Sequence, residues 1–243
     1  AAVDSIVLEG IQQKAYPGAQ VYIAKEGKVI YHKSFGKHTY EGKQEVTKTD
    51  IYDIASITKI ASSLLAIIDL DGKGELSLDD KLGKHLKMTK GTPYENLILR
   101  DMLAHQAGLA AWIPFYIKTM RKGVPKPHLY ASAQSEEFSM RVANDLYITP
   151  NYRDTIFYRI LNRAKVDPSK GYKYSDVGYY FMKEVIEGIT KAPIEQYNSE
   201  NFYLPLGMSR TTFIPRDKFG LDQIIPTEKD TYFRKQLIHG DVH

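Results

Sequence analysis

The stretch from Ile51 to Asp71 constrains this chain more than any other. Apolar residues recur at Ile60, Leu64, Ile67 and Ile68, with Ala61 and Leu65 beside them, the stripe of a buried amphipathic helix. Ser56 and Lys59 stand where that helix should begin, and a spacing of three puts both side chains on one side of its first turn. The helix's unpaired N–H groups and positive end then surround the serine oxygen. Serine is a poor nucleophile alone and needs a base, and a lysine desolvated against an apolar helix can lose its proton near neutrality. Ser-x-x-Lys is a cheap pattern, however, and Ser34-Phe-Gly-Lys37 repeats it. That copy ends a strand-like segment with no helix to follow. Context, not the motif, singles out Ser56 and Lys59.

A length of 243 residues suits one large domain or two interleaved lobes. The composition, 43% hydrophobic and 26% charged, is that of a globular protein. The net charge of +4 comes from scattered basic residues, which argues against nucleic acid or a membrane surface as partner. Without cysteine, disulfides, thiolate metal sites and thiol nucleophiles are excluded. No stretch is long enough to span a membrane as a helix. The Ala1-Ala2 start suggests a processed product or an excised piece.

Val3, Ile6, Val7 and Ile11 predict a first helix, ended by Pro17-Gly18. Segments 19–25 and 29–35 flank Glu26-Gly27-Lys28 as a β-hairpin. A loop leads to the Ser56 helix, which Asp71-Gly-Lys-Gly74 breaks. Leu76 to Leu82 reads as a capped turn or short helix, and Leu97 to His105 as another helix, closed by Gly108-Leu109. The aromatic and proline-rich residues 110–134 read as an irregular excursion able to line a cleft. Further helices are expected at 135–146, 153–163, 177–190 and around 194–202.

The second informative stretch is Gly171-Tyr-Lys-Tyr-Ser-Asp-Val-Gly-Tyr179. Tyr174 and Asp176, two apart in a turn before a helix, can point into one cleft. Tyr174 could relay a proton, while Asp176 could hold a lysine or a substrate amide. The plainer alternative makes Ser175 and Asp176 helix caps and Tyr174 packing.

Four segments now stand in series: Ala55-Ser-Ile-Thr-Lys59, Leu76-Ser-Leu-Asp-Asp-Lys-Leu82, Leu99-Arg-Asp-Met-Leu-Ala-His-Gln-Ala-Gly-Leu109 and Tyr174-Ser-Asp-Val-Gly-Tyr179. Over roughly residues 15 to 210 the series resembles the serine β-lactamase and penicillin-binding protein superfamily, in its class C β-lactamase branch with related esterases and peptidases. The resemblance implies an α+β fold of the β-lactamase/DD-peptidase type, with an antiparallel sheet lobe and a helical lobe. It implies a single domain over 1–243: helix and hairpin in 1–55, the nucleophile helix and helical lobe in 56–210, and an incomplete return toward the sheet in 211–243. It makes Ser56 the acylated nucleophile, Lys59 its activating partner and Tyr174 the tyrosine of a Tyr-x-Asn motif.

Asp176 departs from that motif. An ionised carboxylate donates no hydrogen bond, and it could pair with Lys59 and keep the lysine charged. A register reading Ser175-Asp176-Val177 as Ser-Asp-Asn is spoiled by Val177. The family's third motif, Lys-Thr-Gly or His-x-Gly on a late strand, has only Lys218-Phe-Gly220 as a counterpart, in a loop-like context. The segment from Pro226 to His243 resembles the approach to that motif in esterase-like members, so the expectation is a chain lacking the closing strands and one oxyanion donor.

His239 and His243 have helical metal-pair spacing, but Gly240 between them and the want of a third ligand argue against a metal site. His105, at a helix end, reads as a structural contact. The reading is therefore a serine hydrolase acting through an acyl-enzyme on a cell-wall-derived peptide, amide or ester, outside the cytoplasm, with no metal or organic cofactor. Its partners would be a small-molecule or peptidoglycan-fragment substrate and, in a longer chain, further domains. The alternative is a catalytically silent module that binds wall fragments or a partner domain. A purely structural appendage is a third.

Overall fold

A computed structural model describes residues 2–169 and 171–241. The chain divides into two compact units, Ala1–Asp53 with Ile214–His243, and Ile54–Phe213.

In the first unit, helix α1 (Ala2–Gln12) ends before Pro17-Gly18. Lys14 adopts a left-handed conformation, φ 57°, and the Ala15 N–H reaches back to the Gly10 carbonyl at 2.9 Å, which closes the helix. Strands β1 (Gly18–Lys25) and β2 (Lys28–Gly36) pair antiparallel with Lys25 opposite Lys28. Glu26 and Gly27 both have positive φ, the backbone that a tight two-residue hairpin turn requires. The Asp4 carboxylate accepts the Tyr31 hydroxyl at 2.7 Å and the Lys33 ammonium at 2.6 Å, tying α1 to β2. The two pieces of chain in this unit are stitched at Ile51, whose N–H donates to Gln223 O and whose carbonyl accepts the Ile225 N–H, both at 2.8 Å. Two short strands, Glu228–Lys229 and Leu237–Ile238, pair antiparallel around a turn that the Asp230 carboxylate holds through the N–H groups of Tyr232, Phe233 and Arg234.

The second unit is mainly helical. A 3-10 turn (Ala55–Ile57) and a π-helical turn (Lys59–Ser63) precede α2 (Leu64–Gly72). Then come α3 (Leu82–His85), α4 (Leu99–Leu103), α5 (Tyr152–Arg163), α6 (Val177–Thr190) and α7 (Ile194–Asn198), the last continued by a second π turn, Ser199–Tyr203. Ala66, Ile67 and Leu70 of α2 pack with Leu82, Leu99, Met102, Ile160, Phe181, Met182 and Ile186 in one core. Helices together with small antiparallel sheets make the architecture α+β, as expected.

Two expectations are corrected. The stripe assigned to the nucleophile helix is one face off: Ile67 is buried, but Ile60 and Ile68 are each 57% exposed, and Ser62 and Ser63 are buried in their place. The stripe supposes a straight α-helix, and the π turn changes the angular phase of the residues before α2. Residues 135–146 do not form a helix. Met140–Ala143 pairs antiparallel with Leu146–Ile148, which also pairs with Tyr130–Ala131 in a three-stranded sheet. Asn144-Asp145, with Asp145 at φ 50°, is the turn, a hairpin signal that outweighs the helical propensity around it.

Among the described residues no helix is long and apolar enough to cross a membrane, and no group of three or more His, Cys, Asp or Glu could hold a metal ion. His239 follows a strand and its Nε2 lies 2.6 Å from the Ile224 carbonyl; His243 lies outside the described residues. Lys218-Phe-Gly220 lies between two 3-10 turns, Pro215–Asp217 and Leu221–Gln223, rather than on a strand.

Candidate active site

The second unit brings Ser56, Lys59, Tyr174 and Asp176 together. Ser56 is exposed, in the 3-10 turn opened by Ala55, a non-glycine residue held at φ 44°. Such a backbone costs an alanine about 1–2 kcal/mol and persists only where its surroundings impose it. Lys59 follows by one turn, and its Nζ donates to Ser56 Oγ at 2.9 Å. The same ammonium lies 2.7 Å from Asp176 Oδ1. It also sits 5.0 Å from the Tyr174 ring centroid and 5.7 Å from that of Tyr179. Two aromatic faces and a carboxylate surround one cation. Ser56 and Lys59 both act on the Tyr174 phenol and favour its ionised form.

Electrostatics follow from this arrangement. Desolvation lowers the Lys59 pKa, but the hydrogen bonds and charges of Asp176 and Tyr174 outweigh it, and the pKa is raised above 10.5. Of the two outcomes open from sequence, a lysine that loses its proton near neutrality and one that Asp176 keeps charged, this pairing favours the second. Tyr174 moves the other way. Ser56 and then Lys59 stabilise the phenolate and hold its pKa below 10, against desolvation and the Asp176 charge.

The turn that carries Tyr174 and Asp176 is laced to the segment after α4. Lys173 N–H donates to the His105 carbonyl at 2.9 Å, Ser175 Oγ to the Ala110 carbonyl at 2.6 Å, and Asp176 N–H to the Ala111 carbonyl at 2.9 Å. Gly108, at φ 70°, admits no side chain, since a Cβ there would meet the Asp167 carbonyl oxygen at 1.9 Å. Neither Ser175 nor Asp176 caps α6. Asp176 occupies the N-cap position without a side-chain capping bond, and its carboxylate goes to Lys59 instead. The second Ser-x-x-Lys has no comparable setting: Ser34 Oγ is buried in β2 without a hydrogen-bond partner.

From sequence, His105 reads as a structural contact outside the site. The structure places its imidazole against the Tyr174 ring, centroids 4.4 Å apart. Only its position at a helix end before Gly108 hinted at a place beside the cleft.

The chain as a whole has relatives. The family model described as Beta-lactamase matches residues 3–231. The chain belongs to the Beta-lactamase family. Within that family's reach, an Escherichia coli O157:H7 protein named "Putative D-alanyl-D-alanine carboxypeptidase" is 28% identical over 238 residues, covering 92% of this chain and 50% of that protein. Protein flp of Staphylococcus aureus strain MW2 is 26% identical over 214 residues, covering 87% of this chain and 38% of its own length. The octameric penicillin-binding protein homologue from Pyrococcus abyssi superposes with a TM-score of 0.71 at 24% identity, over 99% of this chain and 50% of that one. A class C β-lactamase gives a TM-score of 0.66 at 18% identity, over 99% and 56%. These structures share the β-lactamase fold with this chain, which spans about half the length of the curated relatives it matches, or less.

Proposed function

We propose that this chain carries the acylating centre of a serine hydrolase acting on a cell-wall-derived peptide, amide or ester outside the cytoplasm. One observation carries the reading: Ser56 Oγ accepts a hydrogen bond from Lys59 Nζ at 2.9 Å, and the same ammonium lies 5.0 Å from the Tyr174 ring centroid. In this scheme Tyr174, as phenolate, takes the Ser56 proton, and the serine oxygen bonds to the substrate carbonyl carbon. Backbone N–H groups at the start of the nucleophile segment hold the developing oxyanion. Collapse breaks the bond to the leaving amine or alcohol, which takes the proton from Tyr174. Water then adds to the acyl carbon and releases the acid. Lys59 remains an ammonium throughout and lowers the cost of the phenolate. The carboxypeptidase name of the Escherichia coli relative supports a peptide substrate.

The test is intact-mass spectrometry after exposure to a fluorophosphonate and, separately, to a penicillin. Wild type should gain one adduct, mapped to Ser56. Ser56→Ala should remove it, and Tyr174→Phe should slow its formation by about a hundredfold or more. A folded wild type that gains no adduct, or gains it at Ser34, overturns the hydrolase reading. In the first case a module that only binds wall fragments is left.

A further inference from the structure

We propose that His105 is a positioning residue that fixes Tyr174 through a neutral imidazole, and that its protonation releases the tyrosine. The proposal rests on Tyr174 acting as the proton carrier described above. Two hydrogen bonds from one residue bracket Tyr174. The His105 carbonyl accepts the Lys173 N–H at 2.9 Å, and His105 Nδ1 accepts the Ser175 N–H at 3.1 Å. The chain on both sides of the tyrosine is thereby pinned to a single histidine. Between those anchors the imidazole lies against the phenol ring, centroids 4.4 Å apart and planes inclined by 39°. The backbone of His105 is itself left-handed, φ 59°, a conformation that a non-glycine residue holds only when its neighbours impose it.

The clamp works in one protonation state. A ring nitrogen that accepts an amide N–H carries no proton, so the proton of the neutral ring is on Nε2. Burial, and then the Lys59 charge, hold the pKa below 6.5, against the pull of Asp176. The groups facing the ring are Lys59, Asp176 and the phenols of Tyr172, Tyr174 and Tyr179. Protonating Nδ1 sets two donors against each other at Ser175 and adds a second cation beside Lys59. The turn loosens, and the Tyr174 hydroxyl leaves the geometry that proton transfer needs. A displacement of 1 Å there can cost about a hundredfold in rate.

Two substitutions separate the parts. His105→Asn keeps an acceptor near the Nδ1 position and tolerates a left-handed backbone, but it loses the ring. His105→Phe keeps the ring and loses the acceptor. Fluorophosphonate acylation of the full chain would be followed from pH 5 to 9, with circular dichroism as the check on folding. Below the Tyr174 pKa the wild-type rate should fall tenfold per pH unit, steepening toward a hundredfold per unit below the His105 pKa. In His105→Asn the steeper limb should vanish. In His105→Phe the rate at pH 8 should fall about a hundredfold. An Asn variant that keeps the steep limb, or a folded Phe variant at the wild-type rate, overturns the proposal.

Nitrogen-15 spectroscopy judges the clamp separately from the chemistry. The Ser175 amide shift should titrate with the His105 ring and lose that titration in His105→Phe. A Ser175 amide indifferent to His105 protonation overturns the clamp even if Ser56 is acylated. A wild type that is never acylated, but whose Ser175 amide tracks His105, overturns only the hydrolase reading beneath it.

Discussion

Lys59 decides the chemistry at the scale of single residues. Its ammonium is shared between a carboxylate at 2.7 Å and the phenol of Tyr174, so whatever charge Asp176 draws off is lost to the phenolate. Asp176 accordingly raises the Tyr174 pKa while the lysine lowers it. Asp176→Asn should therefore lower the Tyr174 pKa further and move the rising limb of the acylation profile to lower pH. At pH 7, where the rate is proportional to the phenolate fraction, acylation should quicken by about two- to tenfold, the effect of up to about one pKa unit. At the alkaline end the order is the reverse. An amide stabilises the ammonium less than a carboxylate does, so the Lys59 pKa falls and the decline in rate begins at lower pH. The profile should thus shift as a whole toward acid, its two limbs belonging to the coupled pair rather than to either residue. A profile of Asp176→Asn that overlies wild type, or moves toward alkali, would show that Asp176 does not set the phenolate. The sequence carried much of this, since Asp176 was a visible departure and its pairing with Lys59 one of the possibilities. Sequence alone did not reveal which of the two ionisable partners loses its proton, because that depends on distances across the cleft.

At the scale of elements, the nucleophile segment is three helical forms in succession, and the wide π turn between Ser56 and α2 is where pattern reasoning went astray. Periodicity counts residues at a constant angle, and a π turn changes that angle without leaving a mark in composition. The π turn is matched by polar bonds. Asn198 Nδ2 donates to Ser62 Oγ at 2.9 Å, and the Tyr203 hydroxyl donates to the Ala61 carbonyl at 2.8 Å. The true buried face runs through Ser62, Ser63, Ala66, Ile67 and Leu70, leaving Ile60 outside. Two truncations distinguish the faces. Ile67→Ala removes a fully buried side chain and should cost about 2–5 kcal/mol of unfolding free energy. Ile60→Ala, at 57% exposure, should cost under about 0.5 kcal/mol. Urea unfolding of the two variants checks this, and equal losses would restore the stripe expected from sequence. The hairpin β1–β2 and helices α5 and α6 were legible because Glu26-Gly27 and long regular periodicities speak locally. Strands at 140–148 were missed because each is only three or four residues long and their turn carries no glycine.

At the scale of the whole molecule, the two units differ in how they are built. The continuous span Ile54–Phe213 contains the whole principal core and every group of the candidate site. The other unit joins two ends of the chain, and its buried apolar residues are few: Val7, Val46, Ile224 and Ile238. Length alone left one large domain or two interleaved lobes open. Where the chain's stability resides was not readable, because burial depends on contacts far apart in sequence. The span 54–213, whose core and helix pairings all lie within it, should fold when expressed alone. Its unfolding should be cooperative, with a slope in urea in proportion to its own buried surface. The Ser175 amide should keep the shift it has in the full chain, since the partners that fix it are within the span. The pieces 1–53 and 214–243 should stay unfolded apart, each presenting one side of the Ile51 stitch and too little apolar surface to offset the entropy of ordering. Circular dichroism and proton–nitrogen spectra of the three peptides decide the matter. A molten 54–213 would mean that the second unit depends on the first for its packing.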